Sequence, residues 1–363
     1  MKEPLLTKRT PRPILGLVNN GGANACYVHV VFQVLHSIGV NKEHIKHDAN
    51  DCRMACKVNA STDTIFNKNL CNYVTRKRDS RMSTSRSVDI RLNSISDDLY
   101  SKTFAEKADA RDPLRFFRNR FLFPKVPSTS TTMRFGERCV YLCGNSLGLQ
   151  PVSTKRYIDD FLEKWSNEGV EGHFTQPRQW VDIDETVNGS MAKIVGAKTN
   201  EVVVMNSLTA NLHFLLVSFY RPTKQRFKIV IESKAFPSDI YAVKSQLRFH
   251  GFDESALVQL EPRKGESTLR VEDFERYLDQ NGSDVALVLV SGIQYYTGQC
   301  FELDRIVRAG HRNGCVVGAD LAHAVGNVEL KLHDWNVDFA VWCTYKYMNS
   351  GPGNIGGAFV CSV

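Results

Sequence analysis

Short apolar runs recur through this 363-residue sequence at Val202 to Met205, Lys228 to Glu232, Val285 to Val290, Cys315 to Asp320 and Val337 to Trp342. Helix-compatible stretches separate them, among them Ala210 to Tyr220, Asp239 to His250 and Asp304 to Asn313. A run that is apolar at successive positions is buried on both faces, the mark of a largely parallel sheet covered by helices on each side. The expected class is therefore α/β. A further strand is expected at Gly357 to Cys361, and Tyr157, Phe161 and Trp165 recur at helical spacing. With Ser153 as N-cap and Gly169 past the end, they predict a surface helix with a buried stripe. In sheets of this kind the chemistry gathers in the loops beyond the carboxyl ends of the strands.

Composition narrows the class further. Hydrophobic residues at 42% and charged residues at 23% are ordinary for a globular chain, and no apolar run approaches the roughly 20 residues a spanning helix needs. The opening MKEPLLTKRTPRP has neither an apolar core nor a small-residue cleavage site, so it does not read as a secretory signal. Ten cysteines are scattered, several inside apolar segments, which suits free thiols in a reducing, cytoplasmic setting. Cys52 and Cys56 form a C-x3-C pair without a matching partner pair, and no metal is expected. The net charge is +7, but its densest patch, Arg76 to Arg91, is serine-rich and lacks interleaved aromatics. It reads as a solvated linker, not a nucleic-acid surface, and neither nucleic acid nor membrane is an expected partner. The expected organisation is a short fragment over 1–40, a polar linker over 41–95, an N-terminal arm over 96–150 and the α/β domain over 151–363.

The loops at the strand ends carry the chemistry. One strand ends in Asp320-Leu-Ala-His323, and another runs into Thr344-Tyr345-Lys346-Tyr347. A carboxylate and a lysine at neighbouring strand ends suit pyridoxal phosphate, whose aldehyde condenses with a lysine amine and whose ring nitrogen is kept protonated by a buried carboxylate. Spacing alone fits equally an aspartate capping a turn and a lysine lying over an aromatic rim. Asn206-Ser-Leu-Thr209 opens a helix, so its free N–H groups and the Thr209 hydroxyl either hold an anion or form an ordinary cap. Ala235-Phe-Pro-Ser-Asp239 offers an aromatic face, a hydroxyl and a carboxylate, or simply a proline turn into a helix. Ser291-Gly-Ile-Gln-Tyr295-Tyr296-Thr-Gly298 adds a serine, two tyrosines and glycines that permit close backbone approach.

Taken in order, YLCGNSLGLQP (Tyr141 to Pro151), NSLT (Asn206 to Thr209), KAFPSD (Lys234 to Asp239), YYTGQ (Tyr295 to Gln299), DLAHAVGNVEL (Asp320 to Leu330) and CTYKY (Cys343 to Tyr347) resemble kynureninase from about Asp97 to the last residue. The resemblance implies the large domain of the pyridoxal-phosphate-dependent transferase fold, type I, and a homodimer. It implies hydrolysis of L-kynurenine, or its 3-hydroxy form, to anthranilate, or 3-hydroxyanthranilate, and L-alanine. Carried over residue by residue, Lys346 would form the Schiff base and Asp320 would pair with the pyridine nitrogen. Leu208 and Thr209 would hold the phosphate, with Ser291 and Tyr345 near it. Phe236 would stack on the ring, and Pro237, Ser238, Asp239 and His323 would complete the cofactor shell. Tyr296 matches a proposed proton donor, while Ser146 and His173 match residues at the aromatic end of the substrate pocket.

Two departures from that pattern keep other readings open. The sequence closes soon after Lys346, where the family adds a small domain, an arginine for the substrate carboxylate and a Trp and an Asn for the partner's site. A truncated, inactive remnant that binds cofactor is the alternative reading. At the other end, Leu15 to Leu35 resembles the Cys-box of ubiquitin-specific proteases, with Asn20 ahead of Cys26. A thiol peptidase acting on ubiquitin conjugates through Cys26 is a third reading, and a non-catalytic helix carrying a buried cysteine a fourth.

Overall fold

The computed structural model describes residues 101–128 and 135–362. Helix α1 (Lys102–Arg111) leads to a small ribbon in which β1 (Phe121–Leu122) pairs antiparallel with β2 (Gln150–Pro151). Helices α2 (Thr154–Glu168) and α3 (Glu185–Val195) follow, and then an alternation begins: β3 (Val202–Val203), α4 (Leu208–Phe219), β4 (Lys228–Glu232), α5 (Pro237–Phe249) and β5 (Leu257–Leu260). It continues through α6 (Val271–Asn281), β6 (Val285–Ser291), α7 (Leu303–Arg312), β7 (Val316–Asp320), β8 (Phe339–Cys343) and β9 (Gly356–Val360). Strands β3 to β9 form one 7-stranded sheet in the order β3-β9-β8-β7-β6-β4-β5. From β5 across to β8 every pairing is parallel; β9 runs antiparallel to both its neighbours.

Burial on both faces explains the unbroken apolar runs. All of Val285–Ser291 is buried, with Leu287 and Leu289 turned to one core and Val288 and Val290 to the other. The first core is filled by Leu212, Leu215 and Leu216 of α4 and Ala242, Val243 and Leu247 of α5. On the opposite face lie Val195 of α3, Phe274 and Leu278 of α6, and Ile306 and Val307 of α7. Each fully buried Leu, Ile or Phe contributes roughly 1.5–3 kcal/mol, so the sheet is a rigid platform and its strand ends are fixed points for the loops they carry.

The expected sheet and helices are present, with boundaries moved by a few residues. The edge strand β5 and the helices α3 and α6 have no counterpart in the sequence reading. Helix α2 corrects an expectation. It spans the predicted residues, but its stripe is not buried: Tyr157 and Trp165 are 45% and 67% exposed, and Phe161 between them is only half-buried. Ser153 stands at the N-cap position without a side-chain cap, while Gly169 ends the helix at φ 54°. Periodicity fixed the amphipathic face, but burial needs a second surface, and among the described residues none covers it; the Arg178 guanidinium lies 5.1 Å from the Tyr157 ring centroid and 5.4 Å from that of Phe161. The expectations for 1–40 and 41–95, including Cys26 and the Cys52/Cys56 pair, lie outside the described residues.

Candidate functional site

Three neighbouring strands end in polar residues inside the sheet: β4 in Glu232, β6 in Ser291 and β7 in Asp320. Ser291 pairs in register with Asp320 across the β6–β7 ladder. The next strand, β8, runs out into Thr344, Tyr345 and Lys346. Beside it the N-terminus of α4 faces the same edge, because Gly356 at the start of β9 donates its N–H to the Asn206 carbonyl. A Cβ at Gly356 would stand 2.7 Å from the Trp342 carbonyl oxygen and 3.0 Å from the Leu208 nitrogen, so only glycine permits this approach. A cavity of about 100 Å³ opens between these elements.

Lys346 Nζ lies in that cavity, 2.8 Å from His323 Nε2. Burial, with the Lys346 charge beside it, pushes His323 down to about 3, so its imidazole is neutral and Nε2 can accept from the lysine. Phe236 forms a wall, its ring centroid 5.9 Å from Lys346 Nζ and 5.1 Å from the Tyr295 ring in an edge-to-face pair. Burial, then the nearby Cys343, raises Tyr345 to about 12, so its hydroxyl stays protonated. Leu208 and Thr209, the first residues of α4, line the opposite end. Ser207 caps that helix by accepting from the Ala210 N–H at 3.3 Å, a bond that does not use the N–H groups of Leu208 and Thr209 at the helix start.

Acids gather at the other end. Asp320 accepts from the Ala322 N–H at 2.7 Å and shares a carboxyl–carboxyl hydrogen bond with Asp239 of α5, which is 4% exposed. Two carboxyls in contact need a proton between them. Burial and then Asp320 raise Asp239 well above the ordinary carboxylate range, so Asp239 carries that proton.

The structure thus brings Leu208, Thr209, Phe236, Ser238, Ser291, Asp320, His323, Tyr345 and Lys346 onto one cavity. Pro237 is the first residue of α5, and Asp239 is buried behind Asp320. Tyr296 does not line the cavity; its neighbour Tyr295 does, and the Lys234 Nζ lies 5.5 Å from the Tyr296 ring centroid. Ser146 sits in a turn that locks onto the lysine loop: Gly148 N–H donates to the Tyr345 carbonyl at 2.8 Å, and Asn349 Nδ2 donates to the Leu149 carbonyl at 2.9 Å. His173 is exposed at the end of a single 3-10 turn, edge-on to Trp180 at 5.6 Å and away from the cavity lining. The sequence reading missed Glu232, Ile293 and Ala322; it offered Tyr295 beside Tyr296 but gave a role to Tyr296 alone, and Glu232 reads as the polar end of an apolar strand.

Elsewhere, Glu201, His333 and Cys361 approach one another closely enough to invite a metal. The Glu201 oxygens are already engaged by the Lys198 N–H, the Ser362 N–H and hydroxyl, and His333 Nδ1 at 2.7–3.0 Å. These bonds overcome the effect of burial and hold Glu201 down at about 2. The group fastens the residue after β9 and the β7–β8 connection, which carries His333, to the turn before β3; it is not an open ligand set.

Known proteins resemble this chain in sequence and in fold. Residues 140–360 match the family model described as aminotransferase class-V. The chain is 53% identical to a kynureninase of Nematostella vectensis and 54% identical to one of Myxococcus xanthus, in each case over 72% of this chain. Those matches cover 58% and 60% of the two relatives, so the chain spans about three-fifths of their length. Among solved structures, a cysteine desulfurase from Thermococcus onnurineus superposes with a TM-score of 0.51 at 19% identity, over 60% of this chain and 52% of that one. That likeness is one of fold. The family match over more than half of the sequence settles the family: the chain belongs to the aminotransferase class-V proteins.

Proposed function

We propose that the chain binds pyridoxal 5'-phosphate and serves as the cofactor-bearing part of a kynureninase, hydrolysing L-kynurenine to anthranilate and L-alanine and 3-hydroxy-L-kynurenine to 3-hydroxyanthranilate and L-alanine, as in tryptophan catabolism. The observation that carries the proposal is the convergence of Lys346, Asp320 and the α4 N-terminus on one cavity, in a chain about half identical to kynureninases. The donor set fits the cofactor: an amine for an aldehyde, a buried acid for a ring nitrogen, helix N–H groups for a phosphate and an aromatic wall for a flat ring.

When bound, the cofactor supplies an aldehyde for the substrate amine and an electron sink for bonds at the α-carbon. Lys346 is the residue that would hold the cofactor's aldehyde, and its Nζ would be the base that takes the substrate's α-proton. His323, neutral and 2.8 Å away, orients that amine without adding a second charge. Asp320, with the Asp239 proton bonded to it, would be the group that keeps a proton at the ring nitrogen. Leu208 N–H and the Thr209 hydroxyl would bind the phosphate, Ser291 and Tyr345 would offer hydroxyls to the cofactor from the ends of β6 and β8, and Phe236 would stack on its ring. Pro237 and Ser238, at the start of α5, would complete the cofactor shell. Tyr296 would deliver the proton that completes alanine, and Ser146 and His173 would meet the aromatic end of the substrate, roles that rest on the motif match because neither Tyr296 nor His173 lines the cavity. The working protein is a homodimer in the cytoplasm; among the described residues no helix is long and apolar enough to cross a membrane.

The test is a titration of the purified chain with pyridoxal phosphate, followed by kynurenine. Visible absorbance that is lost in Lys346→Ala, together with anthranilate fluorescence, supports the proposal. Absorbance without product leaves a cofactor-binding chain that does not turn over, and no absorbance refutes the reading.

A further inference from the structure

Glu232 ends β4, next to Ser291 on β6, and is 1% exposed. It does not line the cavity; it stands behind Ser291, which does. Both its oxygens meet Ser291, and its own backbone N–H also donates to the carboxyl: Oε1 is hydrogen-bonded to the Ser291 hydroxyl, and Oε2 lies 3.3 Å from the Ser291 nitrogen. The charged groups that face it are further acids, Asp320 of β7 and Asp239 of α5.

A serine hydroxyl has a single hydrogen. An ionised Glu232 takes that hydrogen, and Ser291 then shows the cavity only lone pairs. A neutral Glu232 instead donates its own O–H to Ser291 Oγ, and the serine hydrogen is free to turn outward. Burial is the strongest influence on Glu232 and favours the neutral acid, as does Asp320; the Ser291 bonds favour the anion but do not prevail. The same geometry explains why an acid is tolerated inside an apolar strand, since a neutral, hydrogen-bonded carboxyl avoids most of the cost of a buried charge.

We propose that Glu232 keeps its proton and acts as a positioning residue, donating to Ser291 Oγ so that the Ser291 hydroxyl directs its hydrogen into the cavity at an anionic oxygen of the ligand. The ligand half of this statement rests on the cofactor reading above; the proton on Glu232 does not.

The two halves are tested separately. Infrared spectra of the ligand-free chain should show the carbonyl stretch of un-ionised carboxylic acids, with one component removed by Glu232→Gln and another by Asp239→Asn. If Glu232→Gln instead removes intensity only from the carboxylate band, the proposal is overturned. Binding of pyridoxal phosphate is then measured for Glu232→Gln, Glu232→Leu, Ser291→Ala and the Leu/Ala double variant. The Gln amide still donates to Ser291 Oγ, so its affinity should stay within about twofold of the parent. Leu and Ala should each weaken binding about tenfold, or ~1.4 kcal/mol, with the double variant no weaker than either. Equal loss in Gln and Leu would mean that the charge matters, and it sinks the proposal. Should Glu232→Leu fail to fold, as a thermal melt would reveal, the Gln variant and the infrared band decide. If the parent chain binds no pyridoxal phosphate while the band behaves as expected, the proton stands and the ligand half falls.

Discussion

Gly148 tests whether the turn around Ser146 holds the lysine loop in place. In Gly148→Ala the added methyl group would overlap the Lys346 carbonyl oxygen and stand 2.6 Å from Asn349 Nδ2 and 2.9 Å from Asn349 Cα. Two of those atoms are backbone and cannot rotate aside, so the turn and the loop must separate. Overpacking of this kind costs about 1–3 kcal/mol. Losing the Gly148 bond to the Tyr345 carbonyl adds roughly 1 kcal/mol. A sum of about 2–4 kcal/mol corresponds to a fall in Tm of roughly 3–7 °C for a chain of this size. Affinity for pyridoxal phosphate should fall as well, because Lys346 moves relative to Asp320. Gly144→Ala, four residues earlier in the same motif, is the control: nothing lies within 4 Å of its Cβ, and its stability should change by no more than about 0.5 kcal/mol. Circular dichroism melts and cofactor absorbance read both effects. If Gly148→Ala melts and binds like the parent, the turn does not position the loop.

The remaining predictions concern charge and proton transfer. Glu201 sits at about 2 against an ordinary 4.5, so its carboxylate stabilises the fold above about pH 4.5 and that contribution disappears as pH falls toward 2. Glu201→Gln should therefore cost up to about 3 kcal/mol near neutrality and little in acid; a gap independent of pH in urea titrations would refute this. Asp239 is the opposite case: its raised pKa makes the buried acid a growing liability as pH climbs above the ordinary 3.8. Asp239→Asn keeps a donor for Asp320, so it should gain stability at pH 7 and lose that gain below about pH 3.8; a variant less stable than the parent at pH 7 would show the acid to be ionised. Tyr296→Phe should slow turnover while leaving cofactor absorbance in place, and an unchanged rate removes Tyr296 from the reaction.

Much of the sheet was legible because its strands are buried on both faces, which writes an unbroken apolar run into the sequence. Strand β5 escaped because it is an edge: Leu257–Leu260 is only partly buried, so selection for apolar residues there is weak. Helix α3 carries Gly189 and Ser190 mid-run, which blurs its period, and α6 is rich in charge, with Val271, Phe274 and Leu278 as its fully buried apolar residues and Asp273 buried among them. The stripe of α2 shows the converse limit, since a period reports what a helix offers, not what covers it. At the site, Lys346 and Asp320 were readable as chemistry at strand ends. Glu232 was not, because its significance lies in a contact with Ser291 across 59 positions of sequence.

The sheet order gives the site a polarity that no single motif contains. Along the carboxyl edge the groups follow as Glu232, Ser291, Asp320 and Lys346, and then the α4 N-terminus above β9. Strands β7 and β9 are separated by β8 alone, so the acid and the anion site stand about 10 Å apart at ~4.8 Å per strand. A cavity with a protonated acid pair at one end, an amine midway and helix N–H groups at the other selects a ligand that is cationic at one end, electrophilic in the middle and anionic at the other. Exchanging the ends by mutation should therefore fail even where each substitution is tolerated. Asp320→Lys places a cation where the Asp239 proton needs an acceptor, and it brings a second positive charge toward Lys346 across one strand. Cofactor absorbance should be lost in Asp320→Lys yet partly kept in Asp320→Asn, which retains a hydrogen-bonding oxygen without the charge. Equal loss in both would mean that the aspartate serves through its charge alone, and the Asp239 contact would then be incidental to cofactor binding.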